Sequence, residues 1–311
     1  MLHRRHLLHA TAAGLATALL GCESGTTVDG PTVATASEST PATRATPASA
    51  LLEEVAPDRS SELTVINASF ETLTGDDQLF AFGLVGPDNT PVTGAEVSVW
   101  TGSPEGGQVR GPVRASFREV PNQPLGLYVV TLELPEPGTI PMAAVTTDGA
   151  GGETVLRVAD PETAIVLPPG APAPVVATPT PDDLLGFERL CTLDPPCGMH
   201  EVSLDEALQA GEPVMLTIAT PGFCETAICG PTVEVVEGIW ASRPADSPIR
   251  WVHVEVFSDA GATVADPVTA WQLQSEPWIF GVGSDGQITG RLDGPLTILE
   301  DEIAALADQV A

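Results

Sequence analysis

The stretch Ala219–Pro231, ATPGFCETAICGP, constrains this chain more than any other. The apolar run before it, Pro213–Ala219 (PVMLTIA), reads as a buried strand, and Thr232–Trp240 after it reads as a helix. Cys224 and Cys229 sit at that junction. A thiol placed there meets the unpaired N–H groups and positive dipole end of a helix, which favour the thiolate. Two geometries are open. If Pro231 opens the helix, the cysteines lie in a loop and can pair. If the helix begins at Cys224 and kinks at Pro231, five residues span about 7.5 Å of axis, beyond ordinary disulfide reach.

Charge excludes one class of partner. The formal net charge is −30, and all 12 basic residues are arginine. Such a surface repels phosphates, so nucleic acid is not expected as a partner.

The first residues set the expected compartment. Arg4 and Arg5 precede a short apolar run, Ala10–Leu20, and then Leu19-Leu20-Gly21-Cys22. This resembles a bacterial-type lipoprotein signal (residues 1–21), cleaved before Cys22 with lipid added to that thiol. The paired arginines resemble a twin-arginine export signal. The expectation is an extracytoplasmic protein, lipid-anchored to the cell membrane through Cys22. Setting Cys22 aside leaves Cys191, Cys197, Cys224 and Cys229, which allow three connectivities. In an oxidising compartment the simplest pairing joins neighbours, with Cys191–Cys197 as a structural disulfide.

Residues 22–60 are rich in Thr, Ala, Ser and Pro and read as a disordered tether. A coil of that length reaches about 35 Å. Residues 61–160 carry recurring apolar–polar alternation between turn signals: Leu63–Phe70, Gln78–Val85, Ala95–Trp100, Pro112–Arg118, Gly126–Leu134, Thr139–Thr147 and Gly152–Val158. That spacing of strands predicts a β-sandwich. The run GLYVVTLELPEPG resembles the late strands of immunoglobulin-like domains on bacterial surface proteins. Residues 161–183, rich in Pro, read as a stiff linker.

Residues 184–311 alternate helices and strands. Ser203–Glu206 and Thr297–Glu300 have capping-box form, and Ser284-Asp285-Gly286 is a hairpin signal between Trp278–Val282 and Gln287–Arg291. From Glu201 to Val310 the order resembles the thioredoxin fold. Three local features carry the resemblance: Phe223-Cys224 at the strand–helix corner, Glu276-Pro277 before the hairpin, and Gly294 after it. The fold class expected is therefore two domains, an all-β immunoglobulin-like sandwich followed by an α/β thioredoxin-like fold.

The resemblance implies that Cys224 is the nucleophile, Cys229 the resolving thiol, and Pro277 a cis-proline shaping the substrate groove. The implied function is thiol–disulfide exchange with protein thiols or disulfides outside the cytoplasm, with no cofactor. The sequence departs from the family in spacing its cysteines by four residues. It also has Thr217 where the family has a buried acid. The spacing is similar to that of Q-type peroxiredoxins too, but Pro221 stands where those enzymes need Thr or Ser. The alternative is a non-enzymatic surface lipoprotein, its two domains a binding or assembly module with structural disulfides. No metal site is expected. Only His200 and His253 follow the leader, and His253 reads as a core imidazole on the same strand face as Glu255.

Overall fold

The computed structural model describes residues 49–222 and 231–311. A short helix, α1 (Ser49–Val55), is followed by eight strands: β1 (Ser61–Asn67), β2 (Thr72–Leu73), β3 (Gly75–Val85), β4 (Val97–Thr101), β5 (Arg110–Glu119), β6 (Gly126–Leu134), β7 (Gly138–Thr146) and β8 (Ala150–Ala159). Their order is β1-β3-β6-β5-β4-β7-β8-β2. Strand β1 pairs antiparallel with β3 and parallel with β8, which joins the two ends of the run. The result is a closed seven-stranded barrel with β2 added beside β8.

The second sheet is small. Its strands are β9 (Val214–Ile218), β10 (Arg250–Val254), β11 (Trp278–Val282) and β12 (Ile288–Asp293), in the order β10-β9-β11-β12. Around it lie α2 (Leu204–Gln209), α3 (Thr232–Ala241), α4 (Asp266–Ala270) and α5 (Glu300–Val310). Among the described residues no helix is long and apolar enough to cross a membrane.

The expected fold class is corrected on both counts. In place of an immunoglobulin-like sandwich the first sheet closes on itself. In place of an α/β thioredoxin-like fold the chain is mostly β, with a second small sheet and a few short helices. The sheets also share one core. Ala81, Val120, Leu127 and Val129 of the barrel half pack in one buried cluster with Met215, Ile279, Leu296, Ile303 and Leu306. Strand β6 shows why. Tyr128, Val130 and Leu132 fill the barrel, while Leu127 and Val129 lie under the second sheet. A strand covered on both faces reads as a continuous apolar run, as GLYVV does.

The Pro-rich residues 161–183 are packed rather than spanning. Gly170 and Ala173 donate backbone N–H groups to Ile288 and Gly286 at 2.8 and 2.9 Å, and Val166 and Ala173 join the buried cluster of the second sheet. The two capping boxes also differ from expectation. Helix α2 starts after Ser203, but the Ser203 hydroxyl accepts from Thr178 N–H at 2.8 Å instead of capping. Helix α5 starts at Glu300, after a 3-10 turn over Leu296–Ile298 that contains Thr297.

Polar contacts lock the sheets together. Arg118 donates two hydrogen bonds to the Glu302 carboxylate at 2.6 Å each and one to the Ile298 carbonyl at 2.8 Å. Arg291 meets Glu71 at 2.8 Å, with the two side chains 5% and 13% exposed. Gly294 has φ +74°, and a Cβ there would lie 2.3 Å from the Ala68 carbonyl oxygen, so this crossing requires glycine. Asp293 accepts from Phe70 N–H at 2.7 Å.

Burial pushes the Asp293 carboxyl up to about 6, although the Phe70 and Glu71 amides and the Arg291 charge pull it down and Glu71 pushes it up. The folded state therefore prefers the protonated acid. Its stabilising contribution is complete below the unfolded value near 4 and is lost as pH rises through about 6. The difference corresponds to at most roughly 3 kcal/mol. Asp293→Asn, which keeps the acceptor without the charge, should unfold at higher urea than wild type at pH 8. The gap should close below pH 4.

A candidate metal centre

The loop before α2 and the strand β10 together build the site. Cys191, Cys197 and His200 come from the loop, and His253 comes from β10, where it opposes Thr217 of β9. Both sides of the loop are fastened. Thr192 donates its backbone N–H and hydroxyl to one oxygen of Glu255, at 2.6 and 2.9 Å. Gly198 donates its N–H to Glu237 at 2.9 Å, and the Trp240 ring fills the space a Cβ would need. His253 N–H donates to the Met199 carbonyl at 2.8 Å, so the loop runs as a lip along β10 and brings His200 beside His253.

All four side chains are buried, and their ligand atoms lie within 4.8 Å of one another. The Cys191 and Cys197 sulfurs are 3.9 Å apart. His253 Nδ1 is 3.8 Å from Cys191 Sγ, 3.3 Å from Cys197 Sγ and 3.3 Å from His200 Nε2. Cys197 Sγ is 3.3 Å from His200 Nε2. An ion bound at about 2.3 Å to sulfur and about 2.0 Å to nitrogen in a tetrahedron requires edges of roughly 3.8 Å for S–S, 3.5 Å for S–N and 3.3 Å for N–N. The five distances fall on these edges to within about 0.3 Å. A disulfide, at about 2.05 Å, does not fit. Where the sequence leads to the expectation of a Cys191–Cys197 disulfide, the structure has both cysteines free.

The electrostatics match the geometry. Cys191 is held far below the ordinary thiol range, chiefly by its hydrogen bond with Cys197, while that bond and burial push Cys197 far up. Burial pushes His200 down, towards the neutral imidazole. Burial is the largest influence on His253 and opposes its charge, but the hydrogen bond with Cys191, the Cys191 and Glu255 charges and the Ala219 carbonyl together raise it. A divalent cation bound to two thiolates and two neutral imidazoles gives net zero charge, which suits a buried place. His253 Nε2 is 2.9 Å from the Ala219 carbonyl, so it carries the proton and leaves the Nδ1 lone pair facing the site. The tie between Glu255 and Thr192 orients Cys191 in the same way. Glu255→Ala should weaken metal binding about 10–100-fold, as measured by competition with a chromophoric chelator.

Cys22, Cys224 and Cys229 lie outside the described residues. Pro277 is buried immediately before β11 and follows a cis peptide bond with Glu276. The register pairs Trp278 with Ile218, which sets Pro277 next to Ala219. Glu276 accepts from Thr220 N–H at 2.6 Å, and burial raises its carboxyl. Thr192 ties the metal loop to the same place, accepting from Gly222 N–H at 2.8 Å. The structure thus brings together two cysteines read as a staple and two histidines read as bystanders. Cys197-Gly-Met-His200 carries a ligand spacing visible in the sequence, whereas His253 lies in an apolar strand with no local signal.

No protein-family model matches the chain. No curated protein matches it either. Among solved structures, the chain is similar to the crystal structure of the Lin-41 filamin domain at 12% identity and a TM-score of 0.22, over 32% of this chain and 95% of that one. A likeness of that size carries no argument about fold or site.

Proposed function

We propose that this chain is a metal-binding protein that holds one thiophilic divalent ion on Cys191, Cys197, His200 and His253, tethered outside the cytoplasm by a lipid on Cys22. One observation supports the metal reading above the others: four buried ligand atoms, from a loop and a distant strand, lie within 4.8 Å of one another, and five of their six separations match the edges of a tetrahedral site to within about 0.3 Å. The test is metal content. Full-length chain purified under reducing conditions, supplied with zinc and dialysed, should retain about one ion per chain by plasma mass spectrometry, and Cys197→Ser should retain none. A wild-type chain that retains no more than the variant would end the proposal. The tether is tested separately, by incorporation of labelled fatty acid that Cys22→Ser abolishes.

A second reading rests on a different observation. Glu276 and Pro277 border Thr220 and Ala219, where the chain enters the Cys224–Cys229 segment. Thiol–disulfide exchange there has Cys224 attacking a partner disulfide and Cys229 resolving the mixed disulfide. Cys224→Ser should then abolish insulin reduction. Equal rates in wild type and variant would remove Cys224 as nucleophile.

A further inference from the structure

The same four side chains carry a consequence beyond binding, and it rests on the metal reading above. We propose that the ion is Zn2+ and that oxidation of Cys191 and Cys197 to a disulfide by a hydroperoxide releases it. Zinc fits the site because it has no redox chemistry of its own and takes this ligand set in closed tetrahedral form. The sulfurs are the only redox-active groups in the cluster. They are already neighbours at 3.9 Å and must close to about 2.05 Å to bond.

The fold permits that movement. Residues 192–196 contain no helix or strand, and Asp194, Pro195 and Pro196 are exposed, so closure tears no sheet. The histidines are anchored independently of the sulfurs. His253 belongs to β10 and bonds Ala219, while His200 follows Met199, whose carbonyl accepts from His253 N–H. Oxidation therefore leaves the imidazole half of the site standing, ready to bind again after reduction.

The step balances. One thiolate attacks the peroxide, breaks its O–O bond and becomes a sulfenic acid, with an alkoxide (or hydroxide) leaving. The second thiolate attacks that sulfur and expels hydroxide. Two thiolates, one hydroperoxide and two protons from solvent give one disulfide, one water and one alcohol, or with hydrogen peroxide a second water. The sulfurs lose two electrons and the peroxide gains them. Zn2+ keeps its oxidation state and leaves, because the disulfide no longer offers anionic ligands and two imidazoles remain. A hydroperoxide is small enough to reach sulfurs on residues that are each 5% exposed, which a protein disulfide is not.

The experiment uses full-length chain with Cys22, Cys224 and Cys229 changed to serine, loaded with zinc and titrated with hydrogen peroxide beside a chromophoric chelator. The expected result is release of zinc in step with loss of alkylatable thiol, and a Cys191–Cys197 disulfide in the peptide map. Dithiothreitol and zinc should then restore binding. The same disulfide should appear in the wild-type map. Zinc that stays bound while peroxide is consumed, or zinc released with sulfinic acids and no disulfide, overturns the inference and leaves the metal site intact. A chain that holds no zinc before peroxide is added overturns both.

Discussion

His253→Ala should lose the metal and, with it, the order of the loop that carries the other three ligands. Structural zinc sites contribute about 10–16 kcal/mol spread over four ligands. Removal of one costs on the order of 3 kcal/mol, a weakening of at least about a hundredfold in the dissociation constant. The effect extends beyond the ion. His253 is fully buried, and its ring sits against the Ala219 carbonyl and both sulfurs. The variant leaves two thiols facing a cavity. A chelator should lower the melting temperature of the wild type by several degrees and leave that of His253→Ala unchanged, since ligand that binds only the native state stabilises only the chain that can hold it. Chelator titration in a thermal scan gives both readings at once. A variant that melts like wild type and responds equally to chelator would show that His253 is not a ligand.

Arg291→Met should destabilise the chain by about 3–5 kcal/mol, the usual cost of leaving one partner of a buried ion pair uncompensated. Arg291 donates from one nitrogen to Glu71 at 2.8 Å and to the Val166 carbonyl at 2.7 Å, and its guanidinium lies 5.3 Å from the Trp278 ring centre. Glu71 in turn accepts from the Ile165 and Val166 amides. The pair therefore joins the barrel, the Pro-rich segment and β12 at one point. In the variant, the Glu71 charge remains buried without a cation. Adding Glu71→Gln to Arg291→Met should recover part of the loss, because the uncompensated charge is removed, while the single amide oxygen keeps one of the two backbone N–H bonds that the two carboxylate oxygens accept. Urea denaturation of the single and double variants separates these effects. A double variant as unstable as the single one would place the cost in lost packing instead.

Much of the strand content is legible in the sequence because a strand with one wet face must alternate. Ser61–Asn67 and Val97–Thr101 both alternate and both are strands. The closure of the barrel is not legible. It depends on β1 pairing with β8 from the far end of the sheet, and no local pattern encodes which edge a strand will meet. The Pro-rich segment was composition without packing: Val166 and Ala173 look like linker residues until the hairpin at Gly286 gives them a surface. The core that the two sheets share is not legible either. Leu127 and Val129 point out of the barrel, and an outward apolar pair has meaning only once the second sheet is there to cover it.

The candidate metal site is half legible. Cys191, Cys197 and His200 fall within ten residues, and the sequence shows them together. Their reading as a disulfide followed from the oxidising compartment that the leader implies, a general argument that could not know the sulfurs would sit 3.9 Å apart. In the metal reading His253 supplies the fourth ligand, from β10. Its alternation with Glu255 placed both on one face, which holds, but a buried histidine on a strand is ambiguous until its neighbours are known. Glu255 accepts two hydrogen bonds from Thr192 and so anchors the loop that carries Cys191 and Cys197.

The most direct measurement is X-ray absorption at the metal edge of the reduced, zinc-loaded full chain. The account predicts a first shell of two sulfurs at about 2.3 Å and two nitrogens at about 2.0 Å, with the outer scattering of imidazole. A shell of oxygen and nitrogen alone, with no sulfur, would contradict it.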